Sequence, residues 1–76
     1  MARLLVWSQG REWTVDAPSD LDRAELVRGL SGETVTHTAV AEWLEGHQRW
    51  LPTLDGIGKL GRVRRDAVVG VWAKDQ

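Results

Sequence analysis

Residues 34–51 read TVTHTAVAEWLEGHQRWL, and the fold depends on whether this stretch is strand or helix. Five of its first seven residues are β-branched, which favours extended chain. Its apolar residues also recur at helical spacing, in a stripe formed by Val40, Trp43, Leu44, His47 and Leu51. Gly46 favours the first interpretation, because Glu-Gly-His-Gln suits a hairpin turn better than a helix interior. We therefore predict a strand up to Leu44, a turn over 45–48 and a short strand over 49–51.

The chain before this stretch predicts a β-hairpin followed by one helix. Residues 3–8 and 12–16 have strand-like patterns and are separated by a Gln-Gly turn signal, as in a hairpin. Ser19 and Asp22 have the spacing of a capping box, which marks a helix N-terminus. Gly32 suits the helix C-terminus, because glycine tolerates a left-handed backbone. The predicted buried stripe of this helix recurs at spacing three and consists of Leu21, Ala24, Val27 and Leu30.

The chain after this stretch predicts a loop and two further strands. Pro52 is expected to end the strand before it, because proline cannot donate a ladder hydrogen bond. Residues 53–61 are rich in glycine and are predicted to be a loop, after which Val63 resumes extended chain. Residues 67–72 are nearly all apolar and predict the last strand.

The predicted architecture is one small α+β domain, residues 1–76, with the order β-β-α-β-β-β. The runs 4–7 and 67–72 are apolar on both faces, which is typical of central, parallel strands. A mixed sheet built around this parallel pair and covered by one helix resembles the β-grasp arrangement of ubiquitin-like proteins, at the level of topology. The alternative is a small SH3-like β-barrel, in which Arg65-Asp66-Ala67 would be the tight turn before the last strand. The predicted core contains Leu4, Val6, Val15, Leu21, Val27, Leu30, Val68 and Val71.

Composition and charge exclude several classes of protein. The chain has no cysteine, so it forms no disulfide and no thiolate metal site. The apolar run at 4–7 is shorter than the roughly 7–15 residues of a signal-peptide core and the about 20 of a membrane span. The net charge of −1 provides no bulk field that attracts nucleic acid or acidic lipid. We therefore expect a cytoplasmic protein that does not bind membranes.

Residues 55–61 read DGIGKLG, and their glycines have the G-x-G-x-x-G spacing of a dinucleotide-binding loop. That chemistry requires a strand before the glycines, a helix after them and an acidic residue about 20 positions later. Here strand-like residues follow, and only residues 62–76 remain after the last glycine. We predict an exposed, irregular loop that binds no nucleotide.

Catalytic and metal-binding chemistry has little support in this sequence. Without cysteine or tyrosine the nucleophile would be a serine, threonine or lysine, and neither His37 nor His47 has a clear serine partner. Glu42, Glu45 and His47 offer only one imidazole for a metal ion. We expect a protein that is not an enzyme and has no cofactor, metal or small-molecule substrate.

The aromatic residues point instead to a binding role. All five are tryptophans: Trp7, Trp13, Trp43, Trp50 and Trp72. A thin core cannot enclose all of them, and exposed tryptophan is typical of interfaces. We predict a non-enzymatic protein-interaction module, with another protein or a second copy of the chain as partner. The predicted site residues are Trp43, Trp50, Lys59, Arg62, Arg64 and Arg65.

The alternative function is nucleic-acid binding. The segment 59–65 is the most basic part of the chain, and a nearby tryptophan could stack on a base. Residues 23–32 and 38–46 also resemble the two helices of helix-turn-helix repressors, within the span 23–46. A helix over 38–51 would favour this alternative, whereas a hairpin there would favour the protein-interaction module.

Overall fold

The computed structural model describes residues 2–54 and 60–75, which form five strands and two helices. In chain order the elements are β1 (Ala2–Ser8), β2 (Arg11–Val15), α1 (Arg23–Leu30), α2 (Thr38–Gly46), β3 (Trp50–Leu54), β4 (Leu60–Arg64), a 3₁₀ turn (Arg65–Ala67) and β5 (Val68–Asp75). The protein is thus a small α+β fold in which both helices lie between the second and third strands.

The first hairpin forms as the sequence predicts. Strands β1 and β2 pair antiparallel, and Ser8 lies opposite Arg11 across a two-residue loop. Gln9 and Gly10 both have positive φ angles, 57° and 77°. Two consecutive positive φ angles define the type I′ turn, whose twist matches that of the paired strands.

Helix α1 forms where a helix was predicted, but it starts later and buries a different side. Asp22 is the N-cap, and its side chain accepts a hydrogen bond from the Glu25 backbone N–H at 3.0 Å. Gly32 has a φ of 90° just beyond the helix, as predicted for its end. The buried residues are Glu25, Leu26 and Gly29. The predicted stripe therefore does not lie at the centre of the buried helix face. Ala24 is exposed, and Leu21, Val27 and Leu30 are half-buried beside the core.

The predicted strand over 34–44 was wrong, because residues 38–46 form helix α2. The β-branched residues before Thr38 lie in the irregular connection between the helices. Within α2, Val40 and Leu44 are buried, and their spacing of four places both on one helix face. Gly46 is the last helical residue, so its low helix propensity does not destabilise the helix interior.

The sheet is antiparallel throughout its described residues, with the order β4-β3-β2-β1-β5. The first and last strands are neighbours as predicted, but they run antiparallel. The prediction of a mixed, β-grasp-like sheet covered by one helix was therefore wrong. The strand β5 is an edge strand, not a central one, and its Val69 is 78% exposed. Pro52 lies inside β3 and does not end it. Its carbonyl accepts the Asp16 backbone N–H at 2.8 Å.

The sheet curls strongly because its two edge strands follow each other in sequence. A flat sheet in this order would separate β4 from β5 by about 19 Å, at roughly 4.8 Å per strand. Only residues 65–67 join them, and that connection spans at most about 14 Å. A 3₁₀ turn occupies the place of the tight turn expected for the SH3-like alternative. Ser8 Oγ also donates to the Ala67 carbonyl at 2.9 Å, tying this turn to the end of β1.

The core lies between the inner side of the sheet and the two helices. Of the predicted core residues, Leu4, Val6 and Val15 are buried, which confirms them. The other five are half-buried and pack against the core: Leu21, Val27, Leu30, Val68 and Val71. The main cluster also contains residues not predicted to be core: Leu26, Val40, Leu44, Leu51 and Val63.

Neither helix within residues 2–54 and 60–75 has the length and apolar character that a bilayer-spanning segment needs.

Candidate functional site

The five tryptophans divide into three half-buried and two exposed side chains. Trp7 and Trp50 are 43% and 41% exposed, and the other three are half-buried. Trp13 packs on the core, and its Nε1–H donates to the Ser8 carbonyl at 3.0 Å. Trp43 also packs on the core, and its ring stacks on His47 with centroids 4.2 Å apart. Trp7 and Trp50 are therefore the indoles that remain accessible to a partner.

Trp50 begins β3 and points away from the core. The next residue, Leu51, is buried in the core, and successive side chains of a strand point to opposite faces. The guanidinium of Arg62 lies over the Trp50 ring, 4.6 Å from its centroid. This cation–π contact orients the arginine while the indole stays two-fifths exposed.

Arg64 lies directly opposite Trp50 in the β3–β4 pair. Its Nε and Nη2 donate to the two carboxylate oxygens of Asp66, at 3.1 and 2.8 Å. Both side chains are well exposed, at 60% and 69%. The paired hydrogen bonds to Asp66 orient the Arg64 guanidinium, and its Nη1 group can donate to a further hydrogen-bond acceptor.

Two clefts of about 400 and 510 Å³ adjoin Trp50. Both are lined by Gln48, Arg49 and Trp50, and the smaller one also by Arg64 and Asp66. We call the following residues the Trp50 surface: Gln48, Arg49, Trp50, Arg62, Arg64 and Asp66. This surface carries three arginines and one carboxylate, and Glu45 adds a second carboxylate at the larger cleft, whereas the whole chain has a net charge of −1.

Three of the predicted site residues meet at this surface, namely Trp50, Arg62 and Arg64. Arg65 has a different position, because its Nη1 group donates to the carbonyls of Leu44 and His47, at 3.2 and 3.3 Å. These carbonyls end helix α2, so Arg65 closes the helix C-terminus.

The remaining predicted site residues are not part of the Trp50 surface as described. Trp43 packs on the core from α2. Lys59 lies outside the described residues. The residues of the Trp50 surface missed by sequence reasoning are Gln48, Arg49 and Asp66. For Gln48 and Arg49, the sequence run Gln-Arg-Trp at the start of β3 could have indicated an arginine beside the exposed indole.

The chain before the glycine motif is strand β3, and the motif ends within strand β4. Residues 55–59 are outside the described part of the chain. Gly61 lies in β4, so the predicted loop over 53–61 was too long at both ends. The element that follows the glycines is β4, not a helix, which confirms the missing context of a dinucleotide site.

Trp7 lies in different surroundings. It is opposite Glu12 in β2 and Gly70 in β5. A Cβ built on Gly70 would lie 3.8 Å from both Trp7 Cβ and Trp72 Cζ3, so the glycine fits between the two indoles. Trp7 and Trp72 thus form a second aromatic patch, which has the carboxylate of Glu12 beside it, whereas arginines surround Trp50.

One buried carboxylate ties helix α1 to the connection that leads into α2. Glu25 of α1 accepts a hydrogen bond from Thr36 Oγ1 at 2.9 Å and lies 3.8 Å from Arg28 and 3.9 Å from His37. The Thr36 hydroxyl lowers the pKa of Glu25 below its ordinary value of 4.5. Burial opposes this shift, and the Thr36 backbone N–H and the nearby cations add to it. The Glu25 Oε2 atom is buried and has no hydrogen-bond partner.

In the part of the chain that the structure describes, no three His, Cys, Asp or Glu side chains converge in a metal-binding arrangement. Neither a known protein family, a curated protein nor a solved structure matches this chain. Its function must therefore be inferred from the chemistry of its own residues.

Proposed function

We propose that the protein is a non-enzymatic interaction module that binds an anionic macromolecule through the Trp50 surface. The observation that carries this proposal is the 41% exposed indole of Trp50 beneath the Arg62 guanidinium. Tryptophan and arginine are the residues most enriched at binding hot spots, because each combines a large contact area with directional polar groups.

The charge of the Trp50 surface supports an anionic partner. Among the described residues, Arg49, Arg62 and Arg64 outnumber the carboxylates found there, which are Asp66 and, at the larger cleft, Glu45. A protein partner would have to carry carboxylates, and a nucleic acid would supply phosphates. Self-association through this same surface would bring the arginines of two copies together, and such like-charge contacts cost several kcal/mol.

We also propose that the curled sheet is a small SH3-like barrel, partly open between β4 and β5. Its support is the strand order, the 3₁₀ turn before the last strand and the short connection between the edges. An experimental structure with β4 and β5 far apart on a flat sheet would contradict this assignment.

The binding proposal can be tested by retention on immobilised polyanions. Heparin and polyglutamate columns at low ionic strength should retain the protein on at least one matrix, although its net charge is negative. Trp50→Ala and Arg62→Gln should elute at lower salt. Trp7→Ala is the matched control, because Trp7 is equally exposed but lies beside Glu12. Flow-through of the unmodified protein on both matrices would refute the proposal, and equal loss in Trp7→Ala would refute the choice of surface.

A further inference from the structure

We infer that the anionic partner of the Trp50 surface is single-stranded nucleic acid, with a base packed on the part of the Trp50 indole that Arg62 leaves exposed and phosphates contacted by Arg49, Arg62 and Arg64. This inference rests on the proposed function, since it names the partner of the same surface. Four features of the described residues favour nucleic acid over an acidic protein or a second copy.

The first feature is the isolation of the indole among polar groups. The large hydrophobic side chains exposed in the described residues are Trp7, Trp50 and Val69, and the other two lie on β1 and β5. The other residues that line the smaller cleft with Trp50 are all polar or charged, and Pro52 lies two residues along the same face of β3. The centre of a protein–protein interface is depleted of charge and surrounded by apolar contacts. A lone aromatic ring among cations is instead typical of a platform for single-stranded bases.

The second feature is the kind of cation. All three cations are arginines, whose planar guanidinium groups bind phosphate through paired N–H donors and also stack on rings. Arg62 and Arg64 are two residues apart on β4, so they project from the same side of the strand, about 7 Å apart. Asp66 holds Arg64 in one orientation, which reduces the entropy lost when a phosphate binds.

The third feature argues against a duplex. A tryptophan can stack only on a base that is unpaired, and duplex readers insert a helix or a β-ribbon into a groove. Helix α2 contains Glu42 and Glu45 and no lysine or arginine, so it would repel phosphates. The helices are also joined by residues 31–37, a longer connection than the 3–4-residue turn of helix-turn-helix proteins.

The fourth feature is the contrast with a second copy of the chain. A two-fold pairing of Trp50 surfaces would place arginines against arginines, and in each copy the three cations outnumber the nearby carboxylates Glu45 and Asp66. A phosphate backbone provides a negative charge at each nucleotide and meets all three arginines with opposite charge.

The test is fluorescence anisotropy with labelled probes of known chemistry. These are oligo(dT) and oligo(U) of about 12 nucleotides, a length within known single-strand site sizes, a duplex of the same length, and a polyglutamate peptide. The single strands should bind more tightly than the duplex and the peptide. Three phosphate contacts predict a log–log salt slope of about −2, which is a roughly 20-fold loss of affinity for a fourfold rise in salt.

The variants separate stacking from charge. Trp50→Ala should lower affinity for oligo(dT) by about tenfold or more with the slope unchanged, because the lost contact is uncharged. Arg64→Ala should reduce the magnitude of the slope by about 0.7, the contribution of one phosphate contact. Trp7→Ala should bind as the unmodified protein does. Circular dichroism shows whether each variant folds, and Arg49→Ala replaces Arg64→Ala if that variant does not, because Arg49 is exposed just before β3.

The outcomes distinguish the two levels of the proposal. Salt-dependent binding of polyglutamate but not of single strands, lost in Trp50→Ala, would overturn the nucleic-acid inference and leave the proposed function standing. Binding of no probe would overturn both. A dimer detected by light scattering and lost in Trp50→Ala would identify a second copy as the partner and overturn the inference.

Discussion

Adjacent arginines in this chain have unrelated roles, and only the surroundings of each residue reveal which is which. Arg64 lies on β4 beside an exposed carboxylate, whereas Arg65 begins the 3₁₀ turn and closes helix α2 through main-chain carbonyls. In the sequence both belong to one basic run, so charge alone predicted Arg64 at the site and could not separate Arg65 from it.

This difference predicts that folding stability depends more on Arg65 than on Arg64. Arg65→Ala should lower the free energy of unfolding by about 1–2 kcal/mol, because two carbonyls at the end of α2 lose a charged donor. Arg64→Ala should cost less than about 1 kcal/mol, because exposed ion pairs contribute little. Urea denaturation of the two variants measures both values. Equal losses would show that Arg65 does not support the helix end.

Glu25 makes stability depend on pH. Its pKa is lowered in the folded state, chiefly by the Thr36 hydroxyl, so the folded protein favours the ionised carboxylate. The resulting stabilisation is fully present above the unfolded-state pKa and is lost as the pH falls through the lower folded-state value. The window therefore lies below about pH 4.5.

Glu25→Gln should remove this part of the pH dependence, because the amide does not titrate in that range. The difference in unfolding free energy between the unmodified protein and Glu25→Gln should shrink as the pH is lowered from about 6 to 3. Denaturant titrations at several pH values provide the measurement. A difference that stays constant over this range would contradict the role of Glu25.

At the scale of elements, the two helices were the hardest part to predict. The hairpin β1–β2 could be predicted because its turn depends on Gln9 and Gly10 alone and needs no contact with distant residues. Helix α2 could not be separated from a strand, because its helical stripe competed with the β-branched residues of 34–40 and Gly46 favoured a hairpin turn. Tertiary packing decided between them: Val40 and Leu44 gain burial as a helical pair against α1 and the sheet.

The contact between the helices depends on Gly29. A Cβ at this position would overlap Leu44 Cδ1 and lie 3.0 Å from Val35 Cγ1. Gly29→Ala gains about 1 kcal/mol of helix propensity but overpacks the contact at a cost of about 1–3 kcal/mol. We expect a net loss of about 1 kcal/mol, measured by chemical denaturation.

Gly46→Ala is the matched control for this prediction. Gly46 is also helical, and a Cβ there meets nothing within 4 Å. This variant should be neutral or more stable by up to about 1 kcal/mol, because alanine restricts the unfolded chain. If both variants had the same stability, close packing at Gly29 would not be the reason for its glycine.

At the scale of the whole molecule, the sequence predicted the α+β class and the pairing of the first and last strands, but not their direction. An apolar run indicates a strand but shows neither its burial nor the direction of its neighbour, since the run 67–72 forms the edge strand β5 with Val69 exposed. The direction follows from the path of the chain, through two helices and the 3₁₀ turn, and no local pattern encodes that path. The site was predicted in part, since the exposed tryptophan and two arginines were named before the sheet placed them together.

The tie between Ser8 and the 3₁₀ turn should matter for the curled sheet. Ser8 is fully buried, and its hydroxyl satisfies the Ala67 carbonyl. Ser8→Ala should cost about 1–2 kcal/mol, because it leaves that carbonyl without its donor. Ser31→Ala is the control, since Ser31 is exposed. Thermal melts of both variants test the expectation, and an unchanged melting temperature in Ser8→Ala would refute it.

The pairing of β1 with β5 sets the order in which this protein can fold. Ala2 lies opposite Asp75, so nearly the whole chain must be brought together before the longest strand pair can close. Forming contacts between residues far apart in sequence lowers the chain entropy before the contacts stabilise the fold. Small proteins dominated by such contacts fold in milliseconds to seconds. Stopped-flow tryptophan fluorescence should therefore show slow refolding for so short a chain, and a microsecond refolding phase with full amplitude would contradict it.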